Sequence, residues 1–323
     1  MKTPVSRREV LAAGAIGLAG GWQRAHGQSA GDTATQSSAN HGFRYCLNTS
    51  TIRGQKLDLV TELQIAAKAG YDGVEPWIRE IQAYVQNGGR LRDLKRRIAD
   101  LGLTVESAIG FANWIVDDDA KRAAGLEQAK RDMDLVQQIG GRRIAAPPAG
   151  ATRKTDLDLF QAARRYRALL EVGQNIGVVP QAEVWGFSSS LSRLGETLFV
   201  AVESGHEQAC ILPDVYHIFR GGSDFSGLKL LSDDAIHVFH VNDYPAQPER
   251  TQMKDADRVY PGDGVAPLDF ILKTLHGNGV KCALSLELFN PGYWKQDALE
   301  VARTGLRKTQ QAVQHALDGT GAK

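Results

Sequence analysis

From Phe43 onward, short runs of apolar and β-branched residues alternate with longer stretches whose apolar positions recur every three to four residues. The short runs read as strands: Phe43–Asn48, Gly73–Pro76, Thr104–Ile109, Arg143–Ala146, Val178–Val184, Cys210–Val215, His237–Val241 and Ala283–Leu288. The longer ones read as helices: Leu57–Ala69, Arg90–Leu101, Asp118–Ile139, Leu157–Ile176, Ser189–Ser204, Asp224–Leu231, Ala266–Leu275 and Lys295–Ala316. Gly70, Gly102, Gly140 and Gly177 follow four of these stretches, where a helix commonly ends in left-handed backbone. Eight strand-then-helix units in about 280 residues predict a single closed (β/α)8 barrel. A doubly wound open sheet would want a glycine-rich phosphate turn after an early strand, and neither GxGxxG nor GxxxxGK[ST] occurs.

Residues 1–30 do not fit this alternation. Arg7-Arg8 precede an apolar run, Val10 to Gly21, of about 12 residues, short of the ~20 that span a bilayer. The segment looks like a twin-arginine export signal cut between about Gly27 and Asp32. It predicts a periplasmic or secreted protein that meets the twin-arginine translocase during export and keeps no membrane anchor. Residues 31–42 read as a flexible leader, 43–318 as the barrel domain and 319–323 as a tail.

Composition narrows the partners. The formal charge is +1, and residues 1–27 hold four cations (Lys2, Arg7, Arg8, Arg24) against one anion (Glu9), so the remainder carries about −2. A slightly acidic body has no electrostatic footprint for nucleic acid. The three cysteines, Cys46, Cys210 and Cys282, form no CxxC pair and point to neither a disulfide framework nor a cysteine zinc site.

The candidate chemistry lies at strand ends. Glu183, Asp214, His240 and Glu287 close the last four strands. Charges in apolar strands are expensive to bury unless paired or bound to a metal. C-terminal strand ends of a barrel converge on one mouth, so these four side chains are expected around one divalent ion. Three carboxylates and an imidazole suit Mn²⁺ best, with Mg²⁺, Co²⁺ or Zn²⁺ tolerated. His217, three residues after Asp214, is expected to donate to a substrate oxygen, and His237 is assigned to packing. Glu75 is read as positioning substrate or pairing with a cation. Arg258 is read as anchoring a mouth loop or holding an anionic group. Trp114, Trp185, Phe187, Phe289, Tyr293 and Trp294 follow strands, and an aromatic wall suits the apolar faces of a sugar.

Glu183, Asp214-x-x-His217, His240 and Glu287, with Asp214-Val-Tyr-His217-Ile-Phe-Arg-Gly-Gly222, His240-Val-Asn-Asp243 and Pro261-Gly-Asp-Gly264, resemble the xylose-isomerase-like barrel superfamily. Its members include ketose 3-epimerases, inosose dehydratases and hydroxypyruvate isomerases. The resemblance runs from Arg44 to Ala316. It implies that the four residues hold one metal, that Glu183 and Glu287 carry the acid/base chemistry, and that His217 touches substrate. Ketose 3-epimerases place an arginine six residues after the seventh-strand histidine, where this chain has Ala246. The apurinic endonuclease branch adds histidines on the second and third strands, absent from Gly73–Trp77 and Thr104–Ile109.

The expected function is metal-dependent isomerisation or epimerisation of a keto-sugar or related polyol through an enediolate. A metal-dependent lyase or hydrolase acting on oxidised glycosides and a non-catalytic periplasmic sugar-binding protein are the alternatives. A small-molecule carbohydrate is the expected partner, and a homo-oligomer is compatible with this reading.

Overall fold

The computed structural model describes residues 41–318. The signal segment, nearly all of the leader and the tail expected from sequence lie outside the described residues. Eight parallel strands follow the order of the apolar runs: β1 Arg44–Asn48, β2 Gly73–Glu75, β3 Thr104–Val105, β4 Arg143–Ala146, β5 Val179–Glu183, β6 Ile211–Leu212, β7 Val238–Val241 and β8 Ala283–Leu286. They pair as β3-β2-β1-β8-β7 and β4-β5-β6. Single contacts link these two ladders. The Ala145 N–H donates to the Ala108 carbonyl at 2.8 Å, and the His240 N–H donates to the Pro213 carbonyl at 3.0 Å. Parallel bridges pair Ile211 with Ile236 and Asp214 with His240. This is the (β/α)8 barrel expected from sequence.

The helices are α1 Leu59–Ala69, α2 Ile78–Gln86, α3 Leu91–Asp100, α4 Asp119–Gln138, α5 Leu159–Ile176, α6 Leu194–Glu203, α7 Val215–Gly221, α8 Leu268–Gly277 and α9 Ala298–Asp318. Asp58, Asp118 and Asp158 cap α1, α4 and α5 by accepting backbone N–H groups of the first turn. Gly70 and Gly177 end α1 and α5 at positive φ, as their positions in the sequence predict.

Two helices escaped the sequence reading. In α2 the hydrophobic face is narrow, with only Ile78 and Ile81 buried. In α7 only seven residues follow Asp214 directly. Conversely, the stretch read as a helix over Asp224–Leu231 is a 3-10 turn, Phe225–Leu230.

Inside the barrel, Cys46, Trp77, Ile109, Ala145, Leu212, Val238 and Ala283 form one apolar cluster. A larger cluster fills the space between strands and helices, burying Leu47, Leu63, Tyr166, Leu272 and Leu286. Each fully buried Leu or Ile contributes roughly 1.5–3 kcal/mol, so this outer layer holds the strand ends in place. Parallel register sets Asn48 beside Glu75 and His240 beside Ser285. The polar groups of four strands thereby share one level above the apolar interior.

Candidate metal centre and active-site cavity

Asp214 caps α7: its Oδ1 accepts the His217 N–H at 2.8 Å. The cap fixes the carboxylate at the strand end with Oδ2 turned toward β7. There His240 Nδ1 lies 3.6 Å from Asp214 Oδ2 and 3.3 Å from Glu287 Oε2. One donor atom each from Asp214, His240 and Glu287 falls within 4.8 Å of the others. The three residues are buried.

His240 is oriented from behind. Its Nε2 is 3.0 Å from Glu75 Oε2, which also accepts from Ser285 Oγ at 2.7 Å and Asn48 Nδ2 at 2.9 Å. Burial raises the Glu75 pKa, but His240 and these hydrogen bonds outweigh it and hold the carboxyl below its ordinary value. An ionised carboxylate can only accept, so Nε2 of His240 donates and Nδ1 faces Asp214 and Glu287. Buried Nδ1 makes no hydrogen bond of its own. Against the cost of burial, Glu287 and Glu75 push the His240 pKa well above its ordinary value.

These features fit a divalent ion. An imidazole nitrogen without a hydrogen bond and two carboxylate oxygens surround one point, and the histidine's other nitrogen is held by a carboxylate, as in many metal sites. Asp214, His240 and Glu287 would hold the ion. Glu183, expected as a fourth ligand, is buried and lines the same cavity but is not part of the three-residue cluster. Burial first, and then the neighbouring Glu287, Asp214 and Glu75 carboxylates, push its pKa well above the ordinary value despite the opposing pull of His240. A nearby cation would relieve that.

Arg258 brings a guanidinium to the cluster. Its Nη1 donates to Asp214 Oδ2 at 2.9 Å and Glu287 Oε2 at 2.8 Å. Its Nη2 meets Asp255 Oδ1 at 2.7 Å and His217 Nε2 at 3.0 Å. Because a guanidinium only donates, His217 accepts through Nε2. Burial lowers the His217 pKa against the pull of Asp214, which agrees with a neutral ring. Arg258, read from sequence as a loop anchor or the holder of an anionic group, stands on the mouth loop with its guanidinium engaged by carboxylates of the protein itself.

The loop that delivers Arg258 hangs on Asp243. Its Oδ1 accepts from Tyr244 N and Ala266 N, each at 2.8 Å. Its Oδ2 accepts from Gly262 N at 3.0 Å and Gly264 N at 3.1 Å. The Pro261-Gly-Asp-Gly264 segment therefore folds around one carboxylate.

Above the cluster opens a cavity of about 370 Å³ that includes Glu183, His217, Arg258 and Glu287 in its lining. An arc of rings runs along it: Phe289, Trp77, Phe111, Trp185, Phe187 and His217 are in successive contact at 4.8–6.1 Å between centroids. Trp185, Phe187, Phe289 and Trp294 line it as their positions after strands suggest. Trp114 does not; it is core, packed on Tyr166 with Nε1 bonded to the Pro147 carbonyl. Tyr293 stacks on Tyr260 instead. Glu75, read from sequence as a substrate contact, has no exposed surface and lies behind His240, so its other reading, pairing with a cation, is the one its geometry permits.

The family described as the xylose isomerase-like TIM barrel matches residues 63–312. The chain belongs to that family. Within it, the chain is 24% identical over 279 residues to an inosose isomerase of Bacillus licheniformis, covering 84% of this chain and 98% of the relative. It is 27% identical over 256 residues to a 3-dehydroshikimate dehydratase of Pseudomonas aeruginosa, covering 77% of this chain and 39% of that longer protein. The crystal structure of the IOLI protein with a bound zinc atom superposes with a TM-score of 0.79 at 22% identity, covering 84% of this chain and 99% of the other.

Asn48, Arg53, Trp77, Phe111 and Asp255 were given no role from sequence, and Asp243 stood there only within the His240-Val-Asn-Asp243 segment. Asn48 could have been found by the strand-end rule that found Glu183 to Glu287, since it closes β1. Arg53 and Asp255 come from loops, whose paths periodicity does not give.

Proposed function

We propose that this protein is a divalent-metal-dependent isomerase or epimerase that moves a proton beside the carbonyl of a keto-sugar or a cyclic keto-polyol. The observation that carries the reading is the convergence of Asp214, His240 and Glu287 to within 4.8 Å beneath an aromatic-lined cavity. The relatives named as an inosose isomerase and a 3-dehydroshikimate dehydratase support a hydroxylated ketone as substrate.

A bound divalent ion would polarise the carbonyl and make the neighbouring C–H acidic. Glu287 and Glu183, on strands three apart round the barrel, face the cavity as a pair of carboxyl groups. One removes the proton and the other returns it. Return to the adjacent carbon isomerises; return to the opposite face of the same carbon epimerises. Loss of a β-hydroxyl after the same first step gives dehydration, the second reading, which the dehydratase relative favours. His217, whose Nε2 accepts from Arg258, forms part of the cavity wall. The rings of Trp77, Phe111 and Trp185 offer apolar surface to the apolar faces of such a substrate.

We also propose export by the twin-arginine route, supported by Arg7-Arg8 and the short apolar run after them. That route carries folded proteins and suits a site loaded with metal before export.

The test is metal analysis of the purified protein, then incubation with keto-sugars and inososes in D2O. A bound divalent ion and solvent deuterium at the carbon beside the carbonyl are expected. Metal-free protein of full activity, or cleavage without deuterium at carbon, would overturn the reading.

A further inference from the structure

We propose that the substrate carries a carboxylate and that Arg53 is the side chain that binds it. The inference rests on the reading of this cavity as the active site. Arg53 stands in the turn Thr49–Gln55 that follows β1, and it lines the cavity. Its guanidinium carbon lies 5.1 Å from the Trp77 ring, 5.1 Å from the Phe289 ring and 5.3 Å from the Trp294 ring.

Close packing seats these rings. A Cβ on Gly54 would fall 2.2 Å from Trp294, so the indole lies directly on the backbone beside Arg53. Trp294 Nε1 is anchored on the Ser50 carbonyl at 3.1 Å, and Trp77 Nε1 on Asn48 Oδ1 at 3.0 Å.

The three rings contribute only their π electrons. Among the described residues, the Arg53 guanidinium has no hydrogen-bond acceptor and no carboxylate within ion-pair distance. Arg258, the other arginine of the cavity, has its guanidinium engaged by Asp214, Glu287, Asp255 and His217. Burial and the nearby Arg79 together lower the Arg53 pKa, outweighing Glu80, Glu287 and Asp255. The protein has therefore set a half-buried cation in its active-site cavity without neutralising it.

A guanidinium packed against rings keeps its in-plane N–H groups free, and their fork matches the two oxygens of a carboxylate. Arg79 also stacks on Trp77, its guanidinium carbon 4.2 Å from the ring, but it is exposed and does not line the cavity, so this wall offers one fork, which suits a single negative charge. A phosphate dianion would call for more donors than this wall offers. The nearby Glu80, Glu287 and Asp255 give the pocket its discrimination: a carboxylate held at Arg53 is tolerated, while one placed deeper meets like charge.

The test compares binding of hydroxylated acids with their methyl esters to the metal-loaded protein, read by calorimetry or quenching of tryptophan fluorescence. The pairs are shikimate, quinate and glucuronate, each with its ester, and glucose with glucose 6-phosphate. At least one acid should bind about tenfold or more tighter than its ester, a difference of ~1.4 kcal/mol. Arg53→Met, which keeps an unbranched apolar stem against the rings, should bring that acid to the affinity of its ester and leave the ester unchanged. Arg53→Lys, which keeps the charge without the fork, should restore part of the preference. Acids and esters bound alike throughout, or not at all, would overturn the proposal. So would an acid preference that survives in Arg53→Met, or a stronger preference for the phosphate. Deuterium exchange on the same samples separates this from the proposed reaction. Acid preference without exchange leaves Arg53 assigned and removes the proton-transfer reading; exchange on neutral ketones alone does the reverse.

Discussion

The carboxylate of Glu75 lies 3.0 Å from Nε2 of His240, and both side chains are wholly buried. The contact sets the ring so that Nδ1 faces Asp214 and Glu287. Glu75→Gln keeps an acceptor for the ring but removes the charge that makes the imidazole basic. Metal affinity, measured by competition with a chelator, should fall about 10–100-fold, the usual cost of losing such a partner. Unchanged affinity would mean that Glu75 only packs.

Asp243 joins the mouth loop to the seventh strand through four backbone N–H groups. Asp243→Asn turns an NH2 toward two of those donors. Gly262 is exposed and Gly264 half-buried, so water takes over part of the lost acceptor's role, and urea unfolding should show about 1–2 kcal/mol of lost stability. Arg258, on that loop, should lose its hold on Glu287, with turnover falling more than substrate affinity. A variant as stable and active as the parent would contradict this role.

Asp132, on α4, accepts from Gln128 at 2.6 Å; among the described residues no cation lies within ion-pair distance, and Arg131 pulls on it only from further away. Burial raises its pKa to about 6. The folded state therefore holds its proton more tightly than the unfolded chain. The contribution is fully present below the unfolded value near 3.8 and is lost as pH rises through about 6. At about 1.4 kcal/mol per pKa unit, discounted for residual solvent screening, Asp132→Asn should gain ~1–2 kcal/mol at pH 7 and nothing near pH 3.5. Chemical denaturation at the two pH values checks this. A gain of the same size at both would place the cause outside the titration.

Replacing Arg7 and Arg8 together by lysine should abolish export through the twin-arginine route, with unprocessed protein accumulating in the cytoplasm. Fractionation of cells expressing both forms reads the outcome. Unchanged export would remove the proposed address while leaving the barrel chemistry as it is.

The barrel was legible because the apolar runs of the strands and the stripes of most helices were long enough to show their periods, while the narrow face of α2 was not. The short helix α7 was not, although Asp214 is its cap as well as a strand end. The same placement rule led to Asp214, His240 and Glu287, since parallel strands in register bring their ends to one level. It could not supply Arg258's partners: Asp214 and Glu287 are 44 and 29 residues away along the chain. Nor could it separate Trp185, which lines the cavity, from Trp114, which packs on Tyr166. That difference depends on how each loop leaves its strand.

Solvent-deuterium exchange at the carbon beside a ketone, followed by NMR on one preparation through metal removal and re-addition, tests the account most directly. Exchange should stop with the chelator and return with the metal. In metal-replete Glu287→Gln it should fall at least ~10²–10⁴-fold, the range for loss of a general base. Exchange that continues without metal, or at the parental rate in that variant, would contradict the account.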